Sequence, residues 1–158
     1  MPKDIIVKPV APQSFFETFF DLSPLVAQLL YNRELSDEEV VKTFLHPDYK
    51  NLHDPFIFRD MRKATERIWE AIINGESIFI YGDYDADAVT ANAVLQQTFR
   101  YLGVTVESYI PDRFTEGYGL NVDAFSKIKD AKAKVVITVD CGTNSVDVAE
   151  FCLENEID

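Results

Sequence analysis

Ile78-Phe79-Ile80-Tyr81-Gly82-Asp83-Tyr84-Asp85-Ala86-Asp87 is the stretch that decides the fold. Its first four residues are apolar on both alternating faces, too few for a helix and rich in β-formers, so they read as a strand buried in the middle of a sheet. The strand runs through Gly82 straight into acid, with Asp83, Asp85 and Asp87 at alternate positions. Upstream, Met61, Ala64, Ile68 and Ile72 mark a helix that stops at Asn74-Gly75, a left-handed cap pair. Downstream, Ala91, Val94, Leu95, Thr98 and Leu102 predict a helix ending at Gly103, followed by a strand from Val104 to Ile110 and a helix starting at Asn121. A second buried strand, Val135 to Val139, leads to a helix over Val148, Ala149 and Cys152. Strands and helices alternating at these lengths define an α/β fold, a parallel β-sheet with flanking helices and right-handed crossovers. Ile157-Asp158 reads as the entry to one more strand.

The first 58 residues follow a different rhythm. Ser23-Pro24 and the capping box Ser36-Asp37-Glu38-Glu39 start two short helices. Their apolar pairs recur four apart, Leu25/Val26 with Leu29/Leu30 and Val40/Val41 with Phe44/Leu45, one apolar face per helix. The Pro- and Asp-rich stretch from His46 to Pro55 is an ordered connector, and His46 and His53 are connector histidines. The expected division is a small helical segment at 1–58 and an α/β domain at 59–158.

Composition narrows the function. The chain has 158 residues, 47% of them apolar, an ordinary globular fraction that excludes disorder by low hydrophobicity. No stretch approaches the ~20 apolar residues of a membrane helix, and the first residues lack an apolar signal core, so the expectation is a soluble cytoplasmic protein. Cys141 and Cys152 are too few for a zinc set or a disulfide framework and read as packed thiols. A net charge of -12 argues against holding nucleic acid by bulk charge, so any such contact is local or metal-mediated.

In parallel α/β sheets ligands bind outside the carboxyl ends of the strands. Two strand ends here carry acid: the Asp83, Asp85, Asp87 triplet, and Asp140 in Thr138-Val139-Asp140-Cys141-Gly142. Like charges this dense repel one another unless a cation sits among them, and all-oxygen donors favour Mg²⁺ or Mn²⁺ over zinc. Two clusters suit a metal pair, which activates water and clamps a phosphoryl group. The competing structural reading makes Asp87 a helix cap and Asp140 a turn residue. An aspartyl-nucleophile phosphatase also fits the Asp85/Asp87 spacing, but lacks an identifiable lysine. Calcium sensing is excluded because the EF-hand glycine position holds Ala88 and the twelfth position holds Val94. Gly117-Tyr118-Gly119 is no dinucleotide fingerprint, since Val122 stands where the third Gly belongs.

Tyr81 to Asp87 with Thr90, and Thr138 to Gly142, resemble the first and second motifs of the DHH phosphoesterases. Leu52-His53-Asp54-Pro55-Phe56, and Ile110-Pro111-Asp112-Arg113-Phe114-Thr115-Glu116-Gly117-Tyr118-Gly119-Leu120, resemble the RecJ branch, single-strand-specific exonucleases that degrade DNA from the 5′ end. The resemblance implies that Asp85 and Asp87 are metal-binding carboxylates, that Asp83 is a ligand or supports one, and that Asp140 bridges two Mn²⁺ or Mg²⁺ ions. It implies that the loop carrying Arg113 and Tyr118 meets the DNA backbone; the same residues read locally as a partner for Asp112 or Glu116 and a packing ring. Ala88 stands where the family usually has Gly, so either its backbone avoids positive φ or the turn tolerates a small side chain. The Asp-His-His motif and the family's second domain do not occur in the sequence, and the resemblance implies that they would follow Ile157 in a longer chain. The expected activity of the intact protein is hydrolysis of single-stranded DNA, alongside DNA-repair or replication proteins. Two rivals remain at this point: a DHH phosphodiesterase acting on short oligonucleotides or cyclic dinucleotides, and a non-catalytic replication scaffold.

Overall fold

The computed structural model describes residues 7–158, which fall into two compact units, one running up to Ile57 and the other Phe58–Asp158. The helical unit contains α1 (Gln13–Thr18), α2 (Pro24–Asn32) and α3 (Glu38–Leu45), then two 3-10 turns, Tyr49–Asn51 and Pro55–Ile57. Ser23 caps α2 by accepting from the Val26 amide at 3.3 Å. For α3 the cap is Asp37, accepting from the Glu39 and Val40 amides, and not Ser36 as the capping-box spacing suggests. A carboxylate is the better acceptor at a helix start, because it also meets the positive end of the dipole. The core holds Phe15, Phe19, Ala27, Leu30 and Val41. Half of each apolar pair therefore faces out: Leu25, Leu29, Val40 and Phe44 are exposed. Helix α1, which carries Phe15 against Phe19 and Tyr31, has no side-chain cap and leaves no start signal in the sequence.

The second unit is built outward from β1 (Ile78–Gly82), all five residues of which are buried. It pairs in parallel with β2 (Glu107–Tyr109) on one side and β3 (Val135–Val139) on the other, giving the order β2-β1-β3. The pleat sends Ile78 and Ile80 to one face, where they meet Ala71 of α4 (Met61–Asn74), Phe99 of α5 (Ala86–Tyr101) and Val135. Phe79 and Tyr81 point the other way, onto Ala124, Phe125 and Ile128 of α6 (Val122–Asp130) and Val148 of α7 (Val146–Glu154). Each of these side chains contributes roughly 1.5–3 kcal/mol on burial, so the central strand is the main source of cohesion on both faces. Gly75 ends α4 in the left-handed conformation that Asn74-Gly75 announces. Asn121 caps α6 through the Ala124 amide.

Three details depart from the sequence reading. Helix α5 turns Ala88, Asn92, Leu95 and Phe99 inward and leaves Val94 and Leu102 exposed. The helical period fits both stripes, and the polar Asn92 disguises the true one. Its amide is satisfied by the Ile80 carbonyl and by Gln96. Strand β2 is only three residues long, because Val104 and Val106 pack against the core without entering the ladder. Strand β3 is half-buried rather than central, and along its outer side Asp158 exchanges main-chain hydrogen bonds with Lys134 and Val136.

Gly82 marks where β1, β3 and α5 approach most closely: a Cβ there would stand 3.0 Å from Val139 Cγ2 and 3.2 Å from the Ala88 carbonyl. Ala88 itself is helical and fully buried, so a methyl is accommodated without positive φ. Gly82→Ala is expected to cost on the order of 1–3 kcal/mol by overpacking, read as a lower urea midpoint with unchanged slope. A midpoint equal to wild type would show that this junction is loose.

Candidate functional site

Strand β1 delivers its acid into the interior. Asp83 is 1% exposed, one carboxylate oxygen accepts from the Tyr84 amide at 2.8 Å, and the other, Oδ2, is buried with no hydrogen-bond partner. An ionised carboxylate in that state is costly unless a cation completes its shell. Asp85 is the N-cap of α5, its side chain accepting from the Ala88 amide at 3.0 Å. The capping role that spacing offered to Asp87 therefore falls to Asp85, while Asp87 lies exposed in the first turn of α5. Asp140 follows β3 in a left-handed turn, φ 55°, next to Gly142 at φ 96°.

Asp83, Asp85 and Asp140 each lie near enough to Tyr118 for their charge to act on it. Asp83 foremost, with Asp85 and Asp140 behind it, pushes the Tyr118 phenol above its ordinary value, burial adding to the effect. Burial first, then the charge of Asp83, pushes the Cys141 thiol up as well. Both cysteines are free, partly buried thiols. After β3 a polar cleft of about 770 Å³ is lined by Tyr118, Thr138, Asp140, Cys141, Thr143 and Ser145 among others; of the four acids only Asp140 lines it. Among the described residues no three His, Cys, Asp or Glu side chains converge closely enough to hold a metal ion. His46 and His53 belong to the helical unit.

Arg113 and Tyr118 lie on the 110–120 loop, which is held by residues that sequence reasoning passed over. Tyr81, fully buried and stacked on Tyr109 at 5.5 Å between centroids, donates its hydroxyl to the Gly119 carbonyl at 2.9 Å. Burial raises the Tyr81 phenol far above its usual range, so it stays a donor. Asp112 accepts from the Phe114 and Thr115 amides and the Thr115 hydroxyl. Glu116 reaches back to the Asp112 amide at 2.7 Å and receives the Tyr109 hydroxyl and Lys127 Nζ, the latter at 2.8 Å. Lys127, not Arg113, is thus the cation that neutralises Glu116. The guanidinium of Arg113 lies over the Tyr84 ring, 5.2 Å from its centroid, and Tyr118 meets that ring edge-on at 6.4 Å. A recognisable signal for this scaffold was available, since Glu116 and Lys127 are the opposite charges that flank the start of α6.

Residues 77–158, the β1 strand and everything after it, match the model of the DHH family, N-terminal domain. The chain belongs to the DHH family. Within it, the chain is 44% identical over 137 residues to the single-stranded-DNA-specific exonuclease RecJ of Bacillus subtilis, covering 87% of this chain and 17% of that protein. The RecJ of Thermus thermophilus is 37% identical over 101 residues, 63% of this chain and 15% of that one. Among solved structures, RecJ from Thermus thermophilus in complex with Mn²⁺ superposes with a TM-score of 0.61 at 25% identity, over 94% of this chain and 20% of that chain. An exonuclease RecJ bound to manganese does so at 0.57 and 36% identity, over 63% and 26%. The chain thus spans about a sixth of the length of these curated relatives.

The Glu116 network carries a pH signature. Its hydrogen bonds to Lys127, Tyr109 and the Asp112 amide hold the Glu116 carboxyl at about 2, down from 4.5. A depressed carboxyl stabilises the fold above its unfolded value and loses that contribution as pH falls through the folded one. Glu116→Gln is expected to cost on the order of 1 kcal/mol at pH 7, the exposure of Lys127 limiting the effect by screening. The gap between variant and wild type in thermal melts should close between pH 4.5 and about 2. A gap independent of pH would mean that Glu116 acts by shape alone.

Proposed function

We propose that the protein whose N-terminal part this chain carries is a Mn²⁺- or Mg²⁺-dependent exonuclease that hydrolyses single-stranded DNA in the 5′ to 3′ direction. The observation that carries the reading is Asp83: a carboxylate oxygen enclosed at the end of the central strand, with no partner, beside Asp85 and Asp140. Hard divalent cations are the species that such an oxygen accepts. Asp83, Asp85, Asp87 and Asp140 are the carboxylates from this chain that would hold metal, Asp87 from an exposed position in the first turn of α5. When bound, a metal pair supplies a nucleophilic hydroxide at neutral pH and neutralises charge that develops on the phosphoryl oxygens. The chain's own residues orient and exclude. Asp83 is fixed by the Tyr84 amide and Asp85 by the start of α5. Arg113 presents donors to a backbone phosphate and Tyr118 a ring to a base.

The loop from Asp112 to Tyr118 favours this substrate over a cyclic dinucleotide, because it is braced as a clamp at the edge of the cleft. The helical segment at 1–58 and the α/β domain at 59–158 are read as the front of a longer enzyme, a reading supported by relatives of which the chain spans about a sixth. Similarity to single-strand-specific DNA exonucleases supports a place in cytoplasmic DNA repair and recombination, alongside repair or replication proteins. Among the described residues no helix is long and apolar enough to cross a membrane.

Calorimetric titration of this chain with Mn²⁺ is expected to show weak binding that Asp85→Ala abolishes, and the chain alone should not hydrolyse 5′-labelled single-stranded DNA. In the full-length protein Asp140→Ala should reduce hydrolysis by at least about 10²-fold, the scale of losing one group that stabilises transition-state charge. Undiminished hydrolysis would assign this domain a scaffold role. Hydrolysis by the short chain would show that its own residues complete the site.

A further inference from the structure

Tyr84 is the residue that joins the acid motif to the clamp loop. Its amide donates to Asp83 Oδ1 at 2.8 Å, while its ring carries the Arg113 guanidinium on its face and meets Tyr118 edge-on, at an interplanar angle of 75°. Arg113 is exposed, and the ion pairs of the described residues are Arg67 with Glu76 and Asp158, Lys127 with Glu116, and Lys134 with Glu156. In a chain of net charge -12, a guanidinium held against the residue that follows Asp83 is drawn toward carboxylates. Collapse onto Asp83, Asp85 or Asp140 would spend the arginine's donors and occupy oxygens that a metal needs. An aromatic face offers another partner. It attracts the guanidinium through the ring quadrupole yet takes up none of its N–H groups.

We propose that Tyr84 is a positioning residue: its ring holds Arg113 away from the carboxylates and beside Tyr118, with the guanidinium donors free for a phosphate of single-stranded nucleic acid. The inference rests on the nuclease reading of this site and adds to it a determinant of how the loop is poised before substrate arrives. The first motif then does two things with adjacent residues. Asp83 offers an acid to the interior, and Tyr84 keeps the neighbouring cation off it.

Two readouts on this chain separate the positioning from the nuclease reading. In NMR spectra the Arg113 δ-methylene protons should lie upfield through the Tyr84 ring current, a shift that Tyr84→Phe retains and Tyr84→Leu removes. In anisotropy titrations with a short 5′-phosphorylated, 3′-labelled oligothymidylate, Tyr84→Leu should weaken binding about two- to fivefold, the scale of one exposed cation–π contact, while Tyr84→Phe stays within about twofold of wild type. In an Arg113→Gln background Tyr84→Leu should have no further effect, because the ring acts through the arginine. Losses that multiply in the double variant would overturn the proposal, as would the absence of the upfield shift in wild type. A wild type that shows the shift but takes up no oligonucleotide overturns the phosphate-receiving role of Arg113 alone, because the nuclease reading is tested separately by hydrolysis in the full-length protein. Intact binding without the shift overturns the positioning alone.

Discussion

Everything in the α/β unit depends on the complete burial of β1. A strand closed by β2 and β3 at its edges, and by helices on both faces, has no side open to water. The residue that follows its carboxyl end is Asp83. The same packing that stabilises the sheet carries that carboxylate into a 1% exposed position. Its stability cost is local and its chemical value follows from the same fact: an oxygen kept from water and from protein donors is prepared for a cation.

Alternation along β1 distributes the remaining tasks. Ile78 and Ile80 hold α4 and α5 in place, and α5 presents Asp85 at its start. Phe79 and Tyr81 hold α6, and the Tyr81 hydroxyl reaches beyond the core to the Gly119 carbonyl. One strand thus sets both the acids, through the helix that follows it, and the clamp loop, through a buried phenol. The Glu116, Tyr109 and Lys127 network secures the loop's other end to α6. Preorganisation of this kind matters for the proposed role of the loop, because a group that receives phosphate must not reorganise at the moment of use.

The element types and the acidic strand ends were legible because they are written in local chemistry: an apolar run closed by Gly82, the Asn74-Gly75 cap, and Asp residues at alternate positions. The inward face of α5 was not, because periodicity weighs side chains by polarity and cannot know that Asn92 finds the Ile80 carbonyl. Spacing offered the cap to Asp87, whereas the path of the backbone after Asp83 gives it to Asp85. Tyr81 looked like one more core aromatic. Its role at Gly119 depends on a contact between residues 38 apart, which no local pattern announces. Arg113 was weighed against Asp112 and Glu116 as partners, whereas those acids are satisfied by amides, hydroxyls and Lys127.

The central claim is that β1 ends in a cation-binding carboxylate. Anomalous diffraction at the manganese edge, from crystals of this chain grown with Mn²⁺, addresses it directly. The account predicts a peak at the carboxyl end of β1 with Asp83 Oδ2 in coordinating contact, Asp85 or Asp140 contributing beside it. Ions found only on surface acids elsewhere, with Asp83 Oδ2 paired to a protein donor, would contradict it.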